Sequence, residues 1–305
     1  MPGMNEYLTS EVVVDYADGL INRREALRRL TMLGVSVAVA GTMLAACGSP
    51  GGSGGSTPAP SSSGPAPVGS GSAPAGPSPL PTQAITFPGP RGTLQGAWAA
   101  AAEPRGSVLV IHENRGLTDH IRSVAGRLAA SGYSALALDL LSEEGGTAKF
   151  TDPAAATAAL SAAAPTRFVP DMRAGIDELL RRVPAKSPAA MGFCFGGGMV
   201  WQLLAAGEPR LRAAVPFYGP LPDGADLSGS KQAAVLGVYA ELDARVNASR
   251  DAASAALQKA GLKHEIVTYP GANHAFFNDT GPRYDPAAAA QVYQRLLDWF
   301  AANLS

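Results

Sequence analysis

Residues 191–198 read MGFCFGGG, and how this stretch is understood decides the fold. Gly192 and Gly196 bracket Cys194 in a G-x-C-x-G pattern, and Gly197 and Gly198 follow. A tight turn from a strand into a helix needs glycines at this spacing, because side chains there would collide with the neighbouring strand and helix. Cys194 is then either a nucleophile presented at the turn or a small apolar residue among glycines. Free cysteine packs well in cores, so the surrounding sequence must decide.

Outward from the turn, strands and helices alternate. Residues 84–89 and 94–100 form two short strands joined by a turn at 88–92. Residues 107–113 are a continuous apolar run, as expected of a strand covered on both faces. Further strands are expected at 133–140, 188–193, 212–219, 233–242 and 263–271. Between them, 120–132 carries Ile121, Val124, Leu128 and Ala129 at helical spacing, with Gly132 as a stop. Residues 168–183 place Met172, Ile176, Leu179 and Leu180 on one helical face. Helices are also expected at 198–206, 249–261 and 286–303. The pattern predicts an α/β fold with about eight strands, mostly parallel, and helices on both faces. The opening pair forms an antiparallel edge.

In such a sheet, reactive groups collect at the carboxyl ends of strands. Cys194 follows the strand at 188–193, Asp243 follows the strand at 233–242, and His274 follows the strand at 263–271. All three fall on one edge, in the chain order nucleophile, acid, histidine that α/β-hydrolases use. A thiol is mostly protonated at neutral pH, so an imidazole must take its proton. A carboxylate must fix the imidazole tautomer and stabilise the charged ring. Oxyanion donors are expected from the Phe195 amide and from the loop after residues 107–113. Taken singly, Asp243 also reads as a turn residue and His274 as a loop residue. The argument rests on all three in their proper loops.

The first third of the chain reads as an address and a tether. Arg23, Arg24, Arg28 and Arg29 precede an apolar run from Leu30 to Ala46, which ends in LAAC at residues 44–47. This is the layout of an export signal, and the run is short for a membrane span. The arginine pair resembles a twin-arginine signal, and LAAC resembles the lipobox of bacterial lipoproteins, which implies lipidation at Cys47. An uncleaved anchor or a core helix is the alternative. Residues 48–82 are almost wholly Gly, Ser, Pro and Ala and are expected to be a mobile spacer. The division is thus 1–47 export signal and lipobox, 48–82 linker, 83–305 α/β-hydrolase domain. The expected location is outside the cell membrane, attached through the N-terminal lipid. No role is assigned to the acidic segment 5–18.

The chain has 305 residues, 46% of them hydrophobic, which supports one substantial core. A net charge of −1 gives no field for nucleic acid. Two cysteines exclude a disulfide framework, and four scattered histidines argue against a zinc site. No metal or cofactor is expected, and the oligomeric state is not legible.

With these residues in hand, 83–305 resembles the dienelactone hydrolase family. GFCFGG at 192–197, ELDARV at 241–246, YPGANHAF at 269–276, FYG at 217–219 and HENRG at 112–116 carry the resemblance. It implies that a Cys-Asp-His triad attacks ester or lactone carbonyls through an acyl-thioester. It implies that Glu113 sits against the resting thiol and modulates it, and that Asn114 supplies the second oxyanion amide. A pairing of Glu113 with Arg115, or capping of the helix near Asp119, is the alternative. Arg115, Tyr218 and Arg245 are candidates to line the substrate pocket, and His112, Arg115 and Tyr218 read equally well as packing or surface residues. Family members hold a substrate carboxylate with arginines. Here Phe276, Phe277 and Asn278 stand at one such place, and residues 151–165 contain no arginine. A less charged ester or lactone therefore suits this chain, with Arg115 or Arg245 as substitutes. The rival readings are a non-catalytic surface binding module on the same fold, and a redox sensor, which the absence of a resolving cysteine disfavours.

Overall fold

The computed structural model describes residues 4–46 and 74–304. Its centre is an eight-stranded sheet: β1 (Gln83–Gly89), β2 (Gly92–Ala99), β3 (Gly106–Ile111), β4 (Tyr133–Asp139), β5 (Pro188–Phe193), β6 (Ala213–Phe217), β7 (Ala234–Ala240) and β8 (His264–Tyr269). The order across the sheet is β1-β2-β4-β3-β5-β6-β7-β8. β1 and β2 join antiparallel, as do β2 and β4, and every other pairing is parallel. The mostly parallel eight-stranded α/β sheet expected from the alternation is therefore present.

The apolar runs form strands because both faces of the sheet are covered. Every residue of β3, β4, β5, β6 and β7 is buried, whereas β1 alternates and β8, at the edge, is only half-buried. The covering helices are α4 (Asp119–Ala130), α5 (Pro153–Ala162), α6 (Phe168–Arg182), α7 (Phe195–Ala205), the short α8 (Ala244–Asn247), α9 (Arg250–Lys259) and α10 (Pro286–Asn303). The step from β3 to β4 runs opposite to the later steps. Right-handed crossovers therefore set α4 on one face and α6 and α7 on the other. The hydroxyls of Ser131, after α4, and Tyr293, on α10, meet at 2.9 Å, which joins α10 to the α4 layer.

Residues 4–46 form α1 (Met4–Ala17), α2 (Arg23–Met32) and α3 (Val37–Ala46). Leu8, Ala26, Leu30, Ala40 and Leu44 are fully buried in the same core cluster as the sheet residues. The apolar run from Leu30 is broken by a turn at residues 33–36, where Gly34 has φ +83°. Among the described residues no helix is long and apolar enough to cross a membrane. Cys47 and residues 48–73 of the expected linker lie outside the described residues. Its last residues are packed: Arg127 Nη1 donates to Ala75 O at 2.7 Å, and Leu80 N donates to Gly126 O at 3.1 Å.

Candidate active site

Cys194 stands between β5 and α7 with φ 56° and ψ −118°, a backbone conformation that residues with a Cβ rarely adopt. A Cβ on Gly192 would lie 2.3 Å from Gly196 O, and one on Gly196 would lie 2.4 Å from Ile111 O and 2.5 Å from His112 O. The glycines let the start of α7 pass this close to β3 and β5. Cys194 N donates to Phe217 O at 3.1 Å, which anchors the turn to the neighbouring strand. Phe195 opens α7, so its N–H has no partner within the helix and lies beside the sulfur-bearing residue.

Asp243 follows β7 and caps α8, accepting from Val246 N at 3.3 Å through Oδ1. Its Oδ2 accepts from His274 Nδ1 at 2.5 Å. That bond leaves Nε2 of the ring to face the reacting atoms. His274 lies on the loop after β8, where its N–H donates to Asn273 Oδ1 at 2.7 Å and Ala275 takes φ +63°. Cys194, Asp243 and His274 are 3%, 5% and 3% exposed, so the three converge in a nearly dry site.

A helix that sequence reasoning left without a role completes the site. α1 lies over the triad. Tyr7 Oη is 3.4 Å from Cys194 Sγ, the thiol donates to Glu11 Oε2 at 3.4 Å, and Glu11 Oε1 lies 3.0 Å from His274 Nε2. Cys194 Sγ, a ring nitrogen of His274 and a carboxylate oxygen of Glu11 fall within 4.8 Å of one another. A thiolate, an imidazole and a carboxylate at this spacing could ligate a soft divalent ion, but they are also the groups of the triad and its cover.

Charge follows from this packing. Burial raises Glu11, but His274 and then Arg245 outweigh it and hold the carboxyl far below the usual range. Burial lowers His274, but Glu11 and Asp243 flank it and keep the imidazolium well above its ordinary value. Burial, reinforced by Glu11, pushes the Cys194 thiol up.

The remaining sequence candidates divide. Glu113 does not bond to the thiol: its Oε2 accepts from Asn278 Nδ2 at 2.6 Å, and its buried Oε1 has no partner among the described residues. The carboxylate against the sulfur is Glu11. Asn114 and the exposed Arg115 line a cavity of about 230 Å³ together with Glu113, Cys194, His274 and Asn278. Arg245 is taken up by α1. It donates to Tyr7 O at 3.0 Å and Ser10 Oγ at 3.3 Å, pairs with Glu11 and lies 4.3 Å over the Tyr7 ring. Tyr218, at φ +33°, is fully buried with its ring edge-on to His274 at 5.1 Å, beneath the site rather than lining it. His112 is structural: Nδ1 donates to Glu113 O at 2.6 Å, Nε2 accepts from Leu140 N at 3.1 Å, and burial keeps the ring neutral. Phe276 and Phe277 are fully buried in the aromatic cluster under the loop.

Comparison with known proteins gives the family and the fold. The profile of the dienelactone hydrolase family matches residues 94–304. A protein of Salmonella typhi named "Putative carboxymethylenebutenolidase" is 36% identical over 209 residues, covering 64% of this chain and 76% of that protein. A protein of the same name from Methylorubrum extorquens is 32% identical over 219 residues, covering 67% and 74%. Among solved structures, a dienelactone hydrolase-like promiscuous phosphotriesterase from metagenomic libraries superposes with a TM-score of 0.64. It is 26% identical and is matched over 73% of this chain and 98% of its own.

Proposed function

This chain belongs to the dienelactone hydrolase family, and on that premise we propose that it hydrolyses a carboxylic ester or lactone through Cys194 as nucleophile. The observation that supports this most is the 2.5 Å bond from His274 Nδ1 to Asp243, with a ring nitrogen of His274 within 4.8 Å of the Cys194 sulfur. His274 Nε2 takes the thiol proton as sulfur adds to the carbonyl carbon. The Phe195 and Asn114 amides stabilise the oxyanion. Collapse of the adduct expels the alkoxide, which takes the proton back from His274, and leaves an acyl-thioester. Water, deprotonated by His274, then releases the acid and the free thiol. The cavity of about 230 Å³ is walled in part by Glu11, Asp15, Leu20, Ile21 and Arg29 of the N-terminal region, and Arg115 and Arg283 are the cations that the α/β domain places on it for a polar substituent. Initial rates on a panel of short-chain p-nitrophenyl esters and small lactones test the reading. Wild type should turn over at least one class, and Cys194→Ala should show no burst and no turnover. Equal rates above the uncatalysed background in both would refute the cysteine mechanism.

A separable part of the reading concerns location. We propose export with lipid attachment at Cys47, supported by Arg23, Arg24, the apolar run to Ala46 and LAAC. Processing there would remove α1, α2 and α3 from the mature chain. Labelling with a fatty-acid probe should mark the wild type and not Cys47→Ser, and equal labelling would refute it.

A further inference from the structure

We propose that α1 is an internal inhibitor of the catalytic centre: with Tyr7 and Glu11 seated on Cys194 and His274 the chain is closed, and it opens when α1 leaves. This rests on the hydrolase reading, because it concerns the same sulfur and ring.

Both atoms the chemistry needs are engaged by α1. To act, Cys194 Sγ must face a carbonyl carbon, and His274 Nε2 must accept the thiol hydrogen. In this structure Sγ is covered by Tyr7 Oη, its hydrogen points to Glu11 Oε2, and Nε2 faces Glu11 Oε1. A negative carboxylate beside the sulfur opposes thiolate formation. The same carboxylate beside the ring favours the imidazolium, which cannot act as a base. Glu11 therefore blocks the proton transfer from both ends. Cys194 is only 3% exposed even though the cavity reaches it.

The helix is fastened in a way that can be undone. Arg245 grips its middle through Tyr7 O, Ser10 and Glu11, and Arg283 grips its end through Asp15 at 2.9 Å and Asp18 at 2.7 Å. Farther out, Arg28 on α2 reaches Asp152 at 2.5 Å. Tyr7, Leu8 and Val12 are buried in the core from α1, with Val13 and Tyr16 packed partly against it. A helix of 14 residues is marginal alone in water, so α1 holds its shape only while docked. It joins the catalytic domain through the Gly, Ser, Pro and Ala-rich stretch, so one cut there would detach it.

The test uses the full chain with Cys47→Ser, so that Cys194 is the one thiol. Glu11→Gln and Arg283→Gln are compared with this parent. The first removes the charge at the sulfur, and the second loosens the far end of α1 without touching the triad. Iodoacetamide labelling of Cys194 and kcat/KM on p-nitrophenyl acetate are the readouts, with thermal melting to confirm folding. A protease site inserted within residues 48–73 and cut after folding gives a third arm. Both variants and the cut protein should label about tenfold faster or more, the change expected from one unit in the thiol pKa, and hydrolysis should rise in step. Faster labelling with no ester cleaved by any form would uphold the inhibitor and refute the hydrolase reading. Unchanged or slower labelling in folded Glu11→Gln or Arg283→Gln overturns the proposal. A rise in labelling with a fall in hydrolysis also overturns it, because α1 would then be a working part of the site.

Discussion

Asp243 Oδ2 and His274 Nδ1 are 2.5 Å apart, and both side chains are shut away from solvent. This bond fixes which ring nitrogen faces the sulfur. In Asp243→Asn the amide can donate to the ring and reverse its tautomer. We expect kcat to fall by about 10³–10⁴-fold, far more than any accompanying drop in melting temperature accounts for. A loss of under tenfold on the substrate found for the wild type would mean that Asp243 is only a cap for α8.

The close passage at Gly196 gives a prediction about folding. Its added Cβ would meet two backbone oxygens, of Ile111 and His112, neither of which can rotate away. Gly196→Ala should cost at least about 1–3 kcal/mol, the range for overpacking, read from urea unfolding. It should also displace Phe195 and lower activity more than stability alone explains. Unchanged stability would place the nucleophile turn elsewhere.

Charge at α1 gives a pH signature. The carboxyl of Glu11 is depressed from 4.5, so its stabilisation is present above pH 4.5 and is lost as pH falls through the lower folded value. His274 is elevated from 6.5, so its stabilisation is complete below pH 6.5 and is lost as pH rises through the higher folded value. Burial pushes Tyr7 and Cys194 upward, and Arg245 and Arg283 stay charged, so none of these adds a transition between those limits, whereas Asp15, raised by burial, costs stability as pH climbs from 3.8 through its folded value and steepens the alkaline decline. Amide-exchange protection of α1, corrected for intrinsic rates, should peak between pH 4.5 and 6.5 and decline on the alkaline side. Protection that climbs steadily into alkali would contradict the ion pair.

Arg127 braces the domain's entry. It is fully buried, donates to Ala75 O at 2.7 Å and lies 3.4 Å from Asp279, which also bonds His120 at 2.6 Å. Removing one partner of a buried pair strands the other, at about 3–5 kcal/mol. Arg127→Met should therefore lower the melting temperature and expose residues 74–82 to proteolysis. Retained protease resistance there would show that Leu80 and its neighbours hold the segment alone.

The central strands were legible because a sheet covered on both faces forces continuous apolar runs, and β1 and β2 because a turn at 88–92 separates two short stretches. Boundaries slipped only at ends, as at Tyr218, expected in β6 but turned out of it at φ +33°. Cys194, Asp243 and His274 could be placed because each follows a strand on one sheet edge. Glu11 was not legible, since its partners lie more than 180 residues away in the chain. A trace was present: Tyr7, Glu11 and Asp15 are spaced by four, with Leu8 and Val12 beside them, which sets all five toward one side of a helix. Helix α5 had the plain markers of a start, Asp152 as cap and Pro153 in the first turn, yet its alanine-rich face carries little periodic contrast.

Because α1 and the triad share one polypeptide, docking is unimolecular and does not depend on how much protein is present. Covalent tethering confines a detached α1 to an effective concentration on the order of millimolar. Even a segment that binds weakly as a free peptide would then occupy its seat most of the time. Severing the connector converts that contest into an ordinary bimolecular one, which dilution alone tips toward the substrate.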